Sequence, residues 1–324
     1  MSSDQRYRSY SRYLRERFGA RVYRVTIDAG FTCPNVDGTV TTGGCVFCDN
    51  RSFSPNRRLP RSTIREQVER GVEIMRHRFK AKKFLAYFQA ATNTHAPVEK
   101  LKRLYDEALE HPEIEGLIIG TRPDSVPEPV LDLIEGYARD RYVSVELGLQ
   151  TIHNRSLDWM NRGHHLDVFL DAMERCRDRG FEICVHVILG LPGESREDML
   201  ATADALAALD VDAVKIHNLH VVPNTPLAEW YEKGEVRMLE REEHVSLVCD
   251  FLERLPERMV IQRLTGDAPP DFLIAPKWCL DKAGLLQEMH QELERRDSRQ
   301  GIDVRGMPDV VLQEQRKTPR VSLI

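Results

Sequence analysis

Short apolar runs alternate with longer stretches of helical period along the first two thirds of the chain. The strand-like runs cover residues 21–29, 84–90, 114–121, 142–150, 181–189 and 213–221, and helical patterns fill 64–79, 98–110, 128–139, 166–179 and 196–209. Phe169, Ala172, Met173 and Cys176 form one apolar stripe, and Leu200, Ala203, Leu206 and Ala207 form another. Ser195 followed by Asp198 has the pattern of a helix start, with the hydroxyl capping free N–H groups. Alternating β and α units predict a parallel sheet with crossover helices. Six units are too few for a closed eight-stranded barrel, which takes about 250 residues. The expected fold is therefore α/β: an open, TIM-like partial (β/α)6 barrel followed by a C-terminal α/β extension. The expected boundaries are a basic helix within residues 1–20, the barrel over 21–224, the extension over 225–297 and a tail over 298–324. Within the extension, 241–255 and 282–294 are expected as helices and 259–264 as a further strand.

Strand alternation predicts a polar lumen. In the fourth run Val143, Val145, Leu147 and Leu149 take one face, while Ser144, Glu146, Gly148 and Gln150 take the other. His186 in the fifth run, with Lys215 and His217 in the sixth, would join that polar face. An ordinary barrel core is filled by Val, Ile and Leu, so Glu, Gln and His inside predict a ligand cavity.

Composition narrows the class. Hydrophobic residues make up 41% and charged residues 30% of the 324, as in an ordinary globular protein. No apolar run approaches the roughly 20 residues of a membrane span, and the first residues lack the apolar core of a secretory signal, so a cytoplasmic location without membrane contact is expected. Seven cysteines, of which only Cys33, Cys45 and Cys48 lie close together, point to thiols or metal ligands rather than disulfides. The charge of −5 is uneven: residues 1–83 hold 18 Lys/Arg against 8 Asp/Glu, the remainder 28 against 43. A basic end fits a phosphate-bearing partner, or simply a solvated face.

Cys33, Cys45 and Cys48 are spaced C-x11-C-x2-C on a Gly/Thr-rich loop after the first strand. Three thiolates without a fourth suit three irons of a [4Fe–4S] cluster, one iron being left open. Phe47 would shield such a cluster. The competing assignment is a zinc site completed by His or Asp. Cys176 belongs to an apolar stripe and is expected to be a buried free thiol, while Cys279, in Lys277-Trp278-Cys279, is open to either a buried or a substrate-facing assignment.

The loop Asp28-Ala-Gly-Phe-Thr-Cys33-Pro-Asn, with Gly43-Gly-Cys-Val-Phe-Cys48-Asp, resembles that of radical S-adenosylmethionine enzymes, most closely an uncharacterised bacterial family similar to the radical domain of the Elongator catalytic subunit. Tyr87-Phe-Gln-Ala, Gly120-Thr-Arg-Pro-Asp-Ser, Val145-Glu-Leu-Gly-Leu-Gln-Thr, His186-Val-Ile-Leu-Gly-Leu-Pro-Gly-Glu and Val260-Ile-Gln-Arg-Leu-Thr-Gly-Asp follow in the expected order. Two departures stand out: the first gap is 11 residues rather than three, and Phe88-Gln89-Ala90 replaces the usual Gly-Gly-Glu.

The resemblance implies a radical SAM barrel with Cys33, Cys45 and Cys48 as iron ligands, and S-adenosylmethionine chelating the open iron. It places Gln89 near the methionyl amino group, and Thr121, Arg122 and Asp124 near the methionine or ribose. Glu146 and Gln150 would face the ribose or substrate, and Ile188, Gly190 and Gly193 the adenine. For Gly190-Leu-Pro-Gly193 a plain strand-to-helix turn is the alternative. The implied activity is generation of a 5′-deoxyadenosyl radical, with electrons from a flavodoxin or ferredoxin. The leading substrate expectation is RNA, specifically tRNA, with Tyr7, Tyr10 and Tyr13 stacking on bases; the alternative is that Tyr10, Tyr13 and Phe18 pack an N-terminal helix onto the barrel. A small metabolite or protein side chain, and a non-catalytic zinc-stabilised binding protein, are the alternatives.

Overall fold

A computed structural model describes residues 6–317. The ends of the expected N-terminal segment and of the tail, residues 1–5 and 318–324, lie outside the described residues. The chain runs α1 (Tyr10–Phe18), β1 (Val22–Ile27), α2 (Asn50–Phe53), α3 (Ile64–Phe79), β2 (Lys83–Phe88), α4 (Val98–Leu109), β3 (Ile114–Thr121), α5 (Glu128–Ala138), β4 (Tyr142–Gln150), α6 (Asn154–Trp159), α7 (Leu166–Cys176), β5 (Glu182–Leu189), α8 (Arg196–Ala208), β6 (Ala213–Asn218), α9 (Pro226–Glu232), α10 (Arg241–Arg254), β7 (Val260–Arg263), α11 (Lys282–Arg295) and α12 (Asp309–Lys317). All seven strands are parallel and hydrogen-bond in chain order, β1 to β7, forming a curled half-barrel. The strand foreseen within the extension is the seventh strand of that sheet: β6 pairs with β7 from Ala213 opposite Val260. No helix among the described residues is long and apolar enough to cross a membrane.

Alternation decides which side chains meet the helices. Val143, Val145, Leu147 and Leu149 of β4 are buried in the main core, with Val25 and Ile27 of β1, Val185 and Val187 of β5, and Ile216 of β6. The helices supply the other half, including Phe169, Ala172, Met173 and Cys176 of α7. Gly116 shows how tightly the strands pack, since a Cβ there would lie 1.9 Å from the Tyr142 carbonyl oxygen. Helix starts follow the local chemistry. Ser195 Oγ accepts from the Asp198 N–H while Asp198 accepts from the Ser195 N–H, closing the expected capping box of α8. Thr63 and Glu66 do the same for α3.

The lower end of the lumen is closed by α1. Tyr10 and Leu14 pack with Leu85, Ile118, Tyr142, Cys184, Ala213 and Val260, the inward residues near the strand starts. Ser9 bridges to Ile261 in parallel register, and the Ile261 N–H donates to the Arg8 carbonyl, so the N-terminal segment covers the edge of β7. Gln300, from the expected tail, donates to the Pro256 and Met259 carbonyls. The described part of the tail therefore braces the base, and includes α12.

Candidate active site

The cysteines sit at the opposite end, where the strands finish. After β1 the chain forms a long loop whose base is held by Asp28, which pairs with Arg57 at 2.6 Å, and by Gln67, which bonds the Asp28 N–H and C=O. Gly43 and Gly44 take φ of +83° and +79°, a region open to glycine at little cost. The loop is pinned from across the barrel by the turn after α6: Asn161 donates to the Thr42 and Gly44 carbonyls, and Asn35 donates to the Asn161 carbonyl. The Cys48 N–H donates to the Cys45 carbonyl, turning the second and third thiols into one cavity.

Cys33, Cys45 and Cys48 line a single cavity of about 670 Å3 that runs down into the lumen. Around one zinc, thiolates at 2.3 Å in tetrahedral array would lie about 3.8 Å apart. The three sulfurs do not gather within 4.8 Å of one another; among the described residues only Glu146, Cys184 and His186 do. That spread, on a three-thiol set with no fourth cysteine lining the cavity, fits an inorganic core larger than a single ion. Arg162 and Asn35 point N–H groups at the Cys45 sulfur, each at 3.6 Å. Hydrogen bonds and positive charge at ligating sulfurs stabilise thiolates.

Below the cysteines lies a polar layer. Lys215 Nζ donates to both oxygens of Glu146, at 2.5 and 2.6 Å, the Tyr87 hydroxyl donates to Glu146 Oε2 at 2.7 Å, and His186 Nε2 lies 3.0 Å from the same oxygen. Burial opposes ionisation of Glu146, but Lys215 and His186 outweigh it and hold the carboxyl well below the usual carboxylate range. Burial pulls the Lys215 ammonium down to about 8, with Glu146 opposing. Burial and then Arg263 push His217 well below its ordinary value, so that it is a neutral imidazole. The His186 and His217 rings lie tilted against each other with centroids 5.2 Å apart. Cys184 adjoins Glu146 and His186, but Lys215 already supplies the positive charge there.

The expected site residues divide. Gln89, Thr121, Arg122, Glu146, Gln150 and Ile188 line the same cavity as the cysteines. Asp124 lies behind Arg122, accepting from it at 2.9 and 2.5 Å. Gly190 and Gly193 are not among the lining residues; a Cβ on Gly190 would meet Leu239 at 2.9 Å, so its closest approach is to that side chain. Gln150 adopts φ +77°, an uncommon conformation for a residue with a side chain. Cys279 is fully buried and donates to the Pro276 carbonyl, which removes it as a substrate-facing thiol. Cys176 is buried as expected.

The stacking tyrosines need correction. Tyr10 is 8% exposed in the lumen plug, Tyr7 and Tyr13 pack beside the core, and Tyr13 bonds Glu182 at the start of β5, the end remote from the cysteines. Burial of these rings stabilises the barrel base and leaves none for bases. Arg162 is the residue that sequence reasoning missed. It lies 117 positions from Cys45 and in no periodic element. No sequence signal marked it; only the fold shows that a Cβ on Gly148 would stand 2.6 Å from the Arg162 guanidinium.

Residues 38–206 match the Radical SAM superfamily, and residues 211–295 match the Radical_SAM C-terminal domain. The chain is 41% identical over 303 residues to the uncharacterized protein YtqA of Bacillus subtilis, covering 93% of each chain. It is 28% identical over 172 residues to the tRNA uridine(34) acetyltransferase of Methanocaldococcus jannaschii, covering 52% of this chain and 31% of that one. The solved archaeal Methanocaldococcus infernus Elp3 superposes with a TM-score of 0.63 at 21% identity, over 86% of this chain and 64% of that one.

Proposed function

The chain belongs to the Radical SAM superfamily of enzymes, and from that premise we propose that it removes a hydrogen atom from a substrate held in the lumen beneath Cys33, Cys45 and Cys48. Its cofactors are a [4Fe–4S] cluster and S-adenosylmethionine, which when bound and reduced supply a 5′-deoxyadenosyl radical for that step. In this reading the three cysteines hold the cluster as thiolates, and Arg162 and Asn35 orient and stabilise the Cys45 sulfur. Gln89, Thr121 and Arg122 position the methionine end, with Asp124 fixing the Arg122 guanidinium. Gln150 and Ile188 contact the nucleoside, and Gly190 and Gly193 shape the turn beside it. Glu146 already accepts from Lys215, Tyr87 and His186, so it acts by holding those groups towards the substrate. The observation that carries the proposal is the common cavity: three thiols at its upper wall and a fixed polar layer below, closed from underneath by α1. A one-electron donor, such as a flavodoxin or ferredoxin, completes the system.

A tRNA substrate is the finer reading. It is supported by the similarity of about half the chain to tRNA uridine(34) acetyltransferases and by Arg51, Arg57, Arg58 and Arg61 beside Cys48 in the sequence.

Anaerobic reconstitution tests the chemistry. The protein should hold about four irons per chain and, reduced with dithionite, should convert S-adenosylmethionine to methionine and 5′-deoxyadenosine. Stoichiometric zinc without iron, or no 5′-deoxyadenosine above a Cys33→Ala control, would overturn the proposal. The tRNA reading predicts a nucleoside missing from total tRNA when the gene is deleted; an unchanged profile removes it.

A further inference from the structure

The motif Val260–Asp267 has no part in the reading above, yet it carries the least compensated charge in the cavity. Arg263 lines the cavity from the end of β7, in register with Lys215 on β6. Lys215 has Glu146 as its partner, and Lys282 lies 3.8 Å from Asp267. The Arg263 main chain belongs to the β6–β7 ladder, but its guanidinium has no hydrogen-bond or carboxylate partner among the described residues. Below it Arg24, also without an ion pair, lies over the Tyr10 and Tyr87 rings with its Nη1 buried and unbonded. Arg24, Lys215, Arg263 and Lys282 share this end of the lumen with Glu146 and Asp267, while the third carboxylate there, Glu182, is taken up by Tyr13, Tyr142 and Arg17. The cysteine end has cations of its own, Arg162 and Arg122.

The neighbouring groups are built to accept a ligand at this point. Gly266 N–H and Thr265 Oγ1 both donate to Asn218 Oδ1, at 2.9 and 2.8 Å, which fastens the turn after β7 to the end of β6. Gly266 is where that turn meets His217, since a Cβ there would lie 3.2 Å from its Nδ1. The other ring nitrogen, His217 Nε2, is buried and has no partner. A half-buried guanidinium without a carboxylate, beside an ammonium and a buried, unpartnered imidazole nitrogen, presents positive charge and free donors that suit an anion.

We propose that Arg263, with Lys215 and His217 beside it, binds an anionic group of the substrate, a carboxylate or a phosphate, at the lower end of the cavity. This rests on the radical-enzyme reading under Proposed function and offers an alternative to its tRNA substrate. The substrate is then a small molecule that enters with its charged end leading.

Calorimetric titration of the anaerobic holoprotein, saturated with S-adenosylmethionine so that its own carboxylate site is filled, tests this. The probes are inorganic phosphate and succinate. At least one should bind, and Arg263→Gln should weaken that binding at least about tenfold, the loss expected for a charged bidentate contact. Arg263→Lys, which keeps the charge but not the fork, should fall between the two, and provides the answer if the glutamine variant does not fold. The tighter probe tells carboxylate from phosphate. Binding of neither probe, or equal binding by wild type and both variants, overturns the inference. So does tRNA binding that depends on Arg263 when neither probe binds. 5′-Deoxyadenosine formation by the same wild-type preparation, measured in parallel, separates failure of this site from failure of the enzyme reading.

Discussion

Lys215→Met should unmask the energetics of the polar layer. The substitution keeps much of the side-chain volume but leaves the Glu146 carboxylate buried without its cation. Removing one partner of a buried ion pair costs about 3–5 kcal/mol. Glu146 keeps the Tyr87 hydroxyl at 2.7 Å and His186 at 3.0 Å, so the low end, about 3 kcal/mol, is expected. With an unfolding entropy of about 2.1 cal/mol/K per residue and 324 residues, this lowers Tm by about 4–5 °C. Combining it with Glu146→Gln should recover most of the loss, to within about 1 kcal/mol of wild type, because the buried charge has gone as well. Thermal and urea unfolding of the apo-protein under reducing conditions would read both. If Lys215→Met lies within about 0.5 kcal/mol of wild type, or the double variant is no more stable than the single one, the ion pair does not organise the lumen as described.

Other perturbations report on separate parts. Gly148→Ala places a methyl 2.6 Å from Arg162 Nη2 and 2.8 Å from Gln150 Nε2; it should cost about 1–2 kcal/mol and lower iron content after reconstitution, and full iron loading would dissociate Arg162 from the cysteine site. Gly116→Ala meets backbone at 1.9 Å and should cost more than about 4 kcal/mol, which soluble yield and unfolding would show. Cys45→Ala should abolish iron binding whereas Cys176→Ala should not, measured by iron per chain. His244 is fully buried against Trp278, and burial pushes it down to about 4. The unfolded chain takes up that proton near pH 6.5, so His244 favours the folded state fully above that pH and progressively less as pH falls towards 4, by up to about 3 kcal/mol. His244→Phe should flatten this slope relative to wild type in urea titrations at pH 4.5–7.5, and an unchanged slope would count against the assignment.

How much of this was legible depended on where periodicity survived. The bounds of β3, β4 and α3 follow from pattern alone, because each is long, alternating or amphipathic without interruption. The seventh strand is only four residues long and follows a crossover that holds both α9 and α10. Its pattern therefore looked like part of an extension, and only the pairing of Ala213 with Val260 places it in the barrel. The short α2 and α6 contain too few residues for a period to show. The polar face of β4 was visible as Ser144, Glu146 and Gly148, but its meaning depends on register. β4, β5 and β6 bring His186 beside Gly148 and Lys215 beside His186, and the resulting Glu146–Lys215 contact spans 69 positions.

The tyrosines show the limit from the other side. Tyr10 and Tyr13 have the same spacing whether they stack on bases or plug a barrel. What decides is the apolar ring they meet. Leu85, Ile118, Cys184, Ala213 and Val260 come from five different strands and face one another only once the sheet curls. That plug has a consequence for the chemistry above it. With α1 closing the base, Glu146 is held at 1% and Lys215 at 1% exposure, where low dielectric strengthens every charge interaction and water cannot screen Arg24 or Arg263 from below. An anion arriving from above, through the cavity that also holds the three thiols, would offset the positive charge of Arg263, as proposed. Of the basic end of the sequence, Arg58 lines the cavity and Arg24 lies over the Tyr10 and Tyr87 rings, while α1 exposes Arg12 and Arg17 in pairs with Glu16 and Glu182 on the far side.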